Sequence, residues 1–494
     1  MNKKQLLSIF IVVVLILSVL AACKPVENGE TFEASYVLET AAYGGEDVTD
    51  DFMLYNVDFS KDGTVSVVVN YLNMLQTRNG TYSVNGEVVT ESFEGKTYTY
   101  RIIGDVLLTT FDDDGTEIFV TLAKKADDES RTKAVDFQSV LFGDDISDTK
   151  KFNYCPAILT ETDSDGNTVM HIWYCTNKDS GVIMDHIGYR TGTLQSDGKW
   201  LFSEEKIVLA PTEGTWDGRH TCDPAVIKGE FKMGGQTYKY LMAYLGCTTE
   251  DYQKNETGLA VAKDVGGPWV KVDSVNPIVP WYDDGNQATE QAEYERRQGT
   301  SQIYWGTGMP SLISVDGKGE VLLFYSSTKR GTGVRRLDLS DIDHPVVKFT
   351  TSLSHNGIVN SRGIKCNVGI ADFAFDPVTK RLYVIGVTND KLPEDVTKTL
   401  VNSHSVLAYV DGVDDTEAVC SVLQGAAYKW NVVGYVGPDD TGWNRNHNPG
   451  MVRSPLGYIT DSSKIGVVVS TGNNDWPNEN IFTYRLFGHW FNIK

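Results

Sequence analysis

Apolar and polar positions follow two regimes along the chain. From residue 31 to about 126 they alternate with period two, in runs such as Thr64-Val65-Ser66-Val67-Val68-Val69 and Glu117-Ile118-Phe119-Val120-Thr121-Leu122. Turn signals separate the runs: Asp62-Gly63, Asn79-Gly80, Asn85-Gly86 and Asp114-Gly115. Short alternating runs closed by such turns predict a small antiparallel barrel or sandwich. From about residue 150 the chain repeats itself. Five segments begin alike: Cys155-Pro156-Ala157, Asp223-Pro224-Ala225, Met309-Pro310-Ser311, Asp372-Phe373-Ala374 and Asn448-Pro449-Gly450. After each comes a longer apolar run (Met170–Tyr174, Tyr240–Leu245, Val321–Tyr325, Leu382–Val387, Ile465–Val469), and then a third short run (Ile187–Arg190, Gly258–Val261, Val334–Leu337, Val406–Tyr409, Phe482–Arg485). A fourth often carries Trp, as at Trp200, Trp269, Trp430 and Trp490. Four strands in five phased repeats predict an all-β fold, a five-bladed β-propeller behind a small antiparallel barrel or sandwich. A long sandwich would give no reason for the phase.

The phase also assigns faces. The third position of each leading strand is small (Ala157, Ala225, Ser311, Ala374, Gly450), as a crowded channel requires. With regular alternation the first position shares that face, so Cys155, Asp223, Met309, Asp372 and Asn448 are expected at the channel mouth.

The first residues belong to neither pattern. Lys3 and Lys4 precede an apolar run from Leu6 to Leu20 that ends in Ala21-Ala22-Cys23. The run is shorter than the roughly 20 residues a spanning helix needs. It resembles a bacterial lipoprotein signal, which implies cleavage after residue 22, diacylation of Cys23 and a lipid anchor on the extracytoplasmic face of the cell membrane. An uncleaved anchor helix is the alternative. The expected organisation is then a signal peptide over 1–22, a tether over 23–30, a β domain over 31–126, a linker over 127–150 and the propeller over 151–494.

Across its 494 residues the chain carries 66 acidic and 44 basic side chains, a formal charge of −22. That excludes an electrostatic nucleic-acid binder, which needs surplus Lys and Arg. The charge sits in surface-like segments such as Asp112–Asp114 and Asp144–Asp148, so it speaks for solubility and not for ligand identity. Six cysteines follow Cys23: Cys155, Cys175, Cys222, Cys247, Cys366 and Cys420. Their number permits disulfides outside the cell. Several lie in apolar strands, which favours buried free thiols, and none has zinc-like spacing.

Two resemblances refine this picture. The stretch from Gly80 to Lys125 resembles the lipocalin-like domains of Gram-positive lipoproteins, and implies a spacer or weak ligand-binding role. The Asp-led strand Cys222-Asp223-Pro224-Ala225-Val226-Ile227, with Gly266-Gly267-Pro268-Trp269 further along blade two, resembles the five-bladed furanosidase superfamily of glycoside hydrolase families 43, 32 and 117. Family 43 uses a base in blade one, an orienting Asp in blade two and an acidic Glu in blade three. Carried over, the Asp is Asp223, the base falls at Cys155 and the acid at about Gly308. Neither of the last two can serve. Asp372 offers a second channel carboxylate; Glu290, Glu293 and Glu295 lie in an insertion before blade three, and in family 117 a histidine acts as the acid, for which His220 and His447 are placed.

Sugar recognition needs amides, guanidinium and imidazole groups for hydroxyls and an aromatic platform for the apolar face. Trp443, Arg445, Asn446 and His447 supply that set, with Trp216, Arg219 and His220 from blade two, Asn153 and Tyr154 from blade one and Trp305 from blade three. Asp163-Ser164-Asp165-Gly166 and Asp112–Gly115 read as turns without the Glu a calcium loop requires. No cofactor is demanded; a calcium ion at Asp223 and Asp372 in the channel is the candidate. Two readings stand: a surface lipoprotein that binds and hydrolyses extracellular polysaccharide or oligosaccharide, and a non-catalytic glycan-binding or scaffold lipoprotein that has lost its carboxylates. The partners are a carbohydrate and, through the anchor, a membrane.

Overall fold

A computed structural model describes residues 31–493 apart from 45, 73, 105, 114–115, 125–133, 143–149, 250–252, 299–303, 391–401, 426–427 and 473–479. The signal, Cys23 and the tether lie outside the described residues. No helix among the described residues is long and apolar enough to cross a membrane. The chain divides into two compact units, residues 1–130 and 131–494.

In the first unit, eight antiparallel strands close into a barrel. They are Ala34–Tyr43, Phe52–Phe59, Thr64–Tyr71, Met74–Asn85, Val88–Phe93, Lys96–Ile103, Val106–Asp113 and Thr116–Lys124, and the first pairs with the last from Tyr36↔Lys124 to Ala42↔Phe119. Alternation is what fills it: along Thr64–Tyr71 every second residue is buried. Val57, Val67, Val89, Leu107 and Leu122 form the interior, with one ionic group among them. Arg78 Nε lies 3.1 Å from the fully buried Glu91, whose other oxygen accepts from Tyr100.

The second unit is the propeller. Blade 1 comprises Tyr154–Thr162, Thr168–Asn177 and Asp185–Leu194, with Trp200–Phe202 and Lys206–Leu209 both on its outer edge. Blade 2 comprises His220–Met233, Gln236–Cys247, Glu256–Ala262 and Val270–Lys271; blade 3, Thr307–Ser314, Glu320–Ser327, Gly331–Asp338 and Val346–Ser352. Blade 4 comprises Gly369–Asp376, Arg381–Val387, Ser405–Asp411 and Asn431–Val436. Blade 5 takes Arg445–Arg453, Lys464–Gly472 and Arg485–Asn492, and its outermost strand is Val140–Phe142 from the start of the unit. Each seam has its own apolar core, including Trp173 and Met242 between blades 1 and 2, Phe324 and Phe373 between 3 and 4, and Ile158 and Val468 between 5 and 1. Five filled seams make a closed ring.

Three expectations change here. The segment 127–150 is not wholly linker, because Val135 bridges to Trp200 and Val140 pairs with Phe487 to complete blade 5. Trp490 stands in the third strand of blade 5, not a fourth. Residues Phe482–Tyr484, expected to open that third strand, precede it: a short 3-10 turn covers Asn480–Thr483 and the strand begins at Arg485.

Candidate functional site

The innermost strand of every blade carries the same irregularity. Its pairing slips between Tyr154 and Ala157, Cys222 and Ala225, Gly308 and Ser311, Gly369 and Ala371, and His447 and Gly450. At each slip one residue adopts a left-handed backbone: Cys155 at φ 50°, Asp223 at 48°, Met309 at 49°, Ile370 at 50° and Asn448 at 44°. An L-residue there costs roughly 1–2 kcal/mol, and a β-branched residue such as Ile is the rarest occupant. Bulges of this kind re-aim a side chain. The five residues line one opening, together with Ala157, Asp372 and Arg453.

The bulge moves blade 4 out of the expected phase. Ile370 occupies the place of Cys155 and Asp223, and Asp372 that of Ala157 and Ala225. Asp372 is therefore corrected from the rim position to two residues past it, where it still lines the opening. Its carboxylate accepts from Ser311 Oγ at 2.6 Å and Met451 N–H at 2.8 Å, and lies 3.0 Å from Arg453 Nη1. Arg453 is fully buried and donates to Phe373 O at 2.9 Å and Leu312 O at 3.2 Å. The pair ties the innermost strands of blades 3, 4 and 5 together.

Asp223 is the single carboxylate of the five-residue rim. Burial is the main force on it, with the charge of Asp185 adding to that, and the group is pushed up to about 7 despite a hydrogen bond from the Cys155 thiol. Burial and the Asp223 charge raise Cys155 well above the ordinary thiol range. The Asp223 backbone N–H donates to Cys175 Sγ at 2.9 Å. Cys175 and Cys222 form a disulfide, with Cα atoms 5.1 Å apart. This corrects the expectation of free thiols for these two, because blade packing sets the end of one apolar strand beside the start of the next blade. Cys155, Cys247, Cys366 and Cys420 remain thiols.

Behind this group stands a residue the sequence did not single out. Asp185 opens the third strand of blade 1 and is almost fully buried. It accepts from Tyr154 Oη at 2.8 Å and lies 2.8 Å from His220 Nδ1. A signal was present in Met184-Asp185-His186, an acidic residue opening a strand at the mouth end.

The expected sugar-binding residues separate into two groups. Trp305 is half-buried and packs with Tyr154 on Cys155, Cys175, Cys222 and Leu245, at the rim. The others mostly support the ring. Trp216 is seam packing: its ring lies tilted against Tyr244 with centroids 5.3 Å apart, and a Cβ on Gly258 would come within 2.3 Å of its ring. Trp443 lies 4.2 Å beneath the Arg485 guanidinium. Asn446 is fully buried, donates to Ser403 O and Trp443 O and accepts from Thr441 Oγ1. Arg445 and Asn153 are buried, and Arg219 donates to Ile183 O at 3.3 Å. His447 Nδ1 meets Asn448 Oδ1, and its ring sits edge-on to Tyr484 at 4.6 Å. His220 is buried against Asp185.

The acid position in blade three is crowded by neighbouring side chains. A Cβ on Gly308 would lie 2.4 Å from Leu245 Cδ1 and 3.0 Å from Trp305 Cη2. Glu290, Glu293 and Glu295 occupy a helix, Gln287–Arg297, that buries none of its residues. Glu290 accepts from Tyr304 Oη at 2.5 Å, and Glu293 pairs with Arg296 and Arg297. Asp163 caps its own hairpin, accepting from the N–H groups of Asp165 and Asn167.

No protein-family model and no curated protein sequence matches the chain. Several solved glycoside hydrolases resemble it in chain path. Zg3597, a family 117 glycoside hydrolase produced by the marine bacterium Zobellia galactanivorans, is 12% identical, with a TM-score of 0.40 over 72% of this chain and 89% of its own. The α-L-arabinofuranosidase PaAbf62A from Podospora anserina, solved with cellotriose, is 10% identical, with a TM-score of 0.41 over 73% and 96%. A thermostable family-43 glycoside hydrolase is 13% identical, with a TM-score of 0.38 over 70% and 91%. At these values the likeness carries no chemistry to this chain.

Proposed function

We propose that the chain is a surface lipoprotein, acylated at Cys23 and held on the extracytoplasmic face of the membrane, whose propeller mouth binds a carbohydrate without hydrolysing it. One observation carries the reading. Glycoside hydrolysis needs two carboxyl groups facing the scissile bond, and the rim holds one, Asp223, between a thiol, a thioether, an isoleucine and an amide. Asp372 is committed to Arg453, and Asp185 to His220 and Tyr154. What remains suits binding: a carboxyl group that exchanges hydrogen bonds with hydroxyls, and Trp305 as a platform for the apolar face of a sugar.

A glycan array followed by calorimetry and product analysis on each hit tests this. Binding without product is expected, and Trp305→Ala should weaken it about tenfold. Product that disappears in Asp223→Asn would establish hydrolysis instead. Wild-type affinity in both Trp305→Ala and Asp223→Asn would remove the mouth as the binding site.

A further inference from the structure

Three sulfurs and a carboxylate meet where blade 1 touches blade 2. One donor atom each from Cys155, Cys175, Cys222 and Asp223 lies within 4.8 Å of all the others, and all four residues are buried. The disulfide accounts for two of the sulfurs; it leaves Cys155 and Asp223 unexplained. We propose that these four residues form a redox-gated site for a thiophilic divalent cation of the zinc type.

The disulfide is the closed state. A dithiol or phosphine reductant donates two electrons and, with two protons, splits the S–S bond into the thiols of Cys175 and Cys222, leaving as its own oxidised form. The cation then displaces three thiol protons to solvent and takes three thiolates and the Asp223 carboxylate. Zinc–sulfur bonds of about 2.3 Å put the ligand atoms of a tetrahedron about 3.8 Å apart. Donors gathered within 4.8 Å reach that spacing by small side-chain rotations. The formal charge, minus two, equals that of a four-cysteine zinc site.

Two N–H donors already face the sulfurs: the Asp223 N–H donates to Cys175 Sγ, and the Asn448 amide donates to Cys155 Sγ. Groups that hold ligands in this way tune affinity by about 10–100-fold. The opening lined by Cys155 and Asp223 gives the cation entry. Calcium, expected from the sequence at Asp223 and Asp372, wants six to eight oxygens. Here the oxygens of Asp372 are taken, and the donor set is mostly sulfur, which selects a softer cation. Cys155 and Cys175 belong to blade 1, Cys222 and Asp223 to blade 2, so the cation would cross-link the same seam as the disulfide does.

The test titrates the purified full chain with Co²⁺ and then Zn²⁺, with and without prior reduction by a phosphine. Reduced protein should bind one more equivalent than oxidised protein, with a sulfur-to-cobalt charge-transfer band and the intense d–d bands of tetrahedral cobalt. Cys155→Ser keeps the disulfide and tests the third sulfur: after reduction it should lose part of the charge-transfer band and bind at least tenfold more weakly. Asn448→Ala should weaken binding about tenfold. Zinc should also raise the Tm of the reduced chain. Equal uptake by reduced and oxidised protein, an unaltered band in Cys155→Ser, or a reduced chain that stays unfolded with zinc would each overturn the proposal. Glycan binding is measured on the disulfide form, so a negative result here leaves the proposed function standing.

Discussion

Replacing Asp372 with Ala is expected to lower the unfolding free energy of the propeller by about 3–5 kcal/mol, the usual consequence of removing one partner of a buried pair. The reason lies in what Arg453 would be left with. Its side chain is fully buried, its two backbone acceptors on Leu312 and Phe373 are neutral, and Asp372 is the only anion it meets among the described residues. The loss also frees Ser311 Oγ and the Met451 N–H, so three blades lose a shared contact. The stranded charge outweighs those lost hydrogen bonds. Asp372→Leu combined with Arg453→Met should therefore recover most of the stability, since well-packed apolar replacements of buried pairs are often neutral. All ten tryptophans follow residue 130, so tryptophan fluorescence in a urea titration reports the propeller alone. A single variant that unfolds at the wild-type midpoint would contradict the axial-pin role.

That pin shows where reading the sequence stops. The repeats were legible because each blade restates the same apolar run, and five seams need the same kind of residue at the same step. The rim was legible in four blades, since Pro156, Pro224, Pro310 and Pro449 mark the step after the mouth residue. In blade 4 Ala371 stands in that place, so the phase slides two residues and sets Asp372 at the rim instead of Ile370. The left-handed bulge that governs the phase is invisible in composition, because glycine occupies none of its five positions. Pairings across long separations were equally silent. Nothing near Val140 announces Phe487, and Cys175 reads as a core thiol until blade 2 is laid beside it. The placement of the expected sugar-binding residues was hidden for a related reason: Asn446 and Arg445 have the right chemistry, but only packing decides whether a polar group faces ligand or latches a loop.

Lowering the pH from 7 to 4 is expected to cost the propeller stability through His447, and His447→Gln should remove about 3 kcal/mol of that loss. Burial is the main cause of the displaced equilibrium; it holds the ring down to about 4 from the ordinary 6.5, against a hydrogen bond with Asn448 that favours the charged form, while nearby Arg445 adds repulsion. The Tyr484 ring closes another side, and Nε2 has no hydrogen-bond partner among the described residues. Between about 6.5 and 4 the unfolded chain therefore binds a proton that the native state refuses. Stability is complete above 6.5 and falls as the pH drops through that window, by about 1.4 kcal/mol per displaced pKa unit. Asp223 acts in the opposite sense. Its raised pKa makes the native state the better proton binder from about 4 to 7, so its contribution grows as the pH falls. The two partly cancel in the wild type, and only the difference between wild type and His447→Gln isolates the histidine. Urea midpoints at pH 7.5, 5.5 and 4.5, read by tryptophan fluorescence, should converge toward acid when the variant is compared with the wild type. Parallel curves would mean that His447 takes up its proton as readily in the fold as in the unfolded chain, against the burial that defines its place beside the mouth.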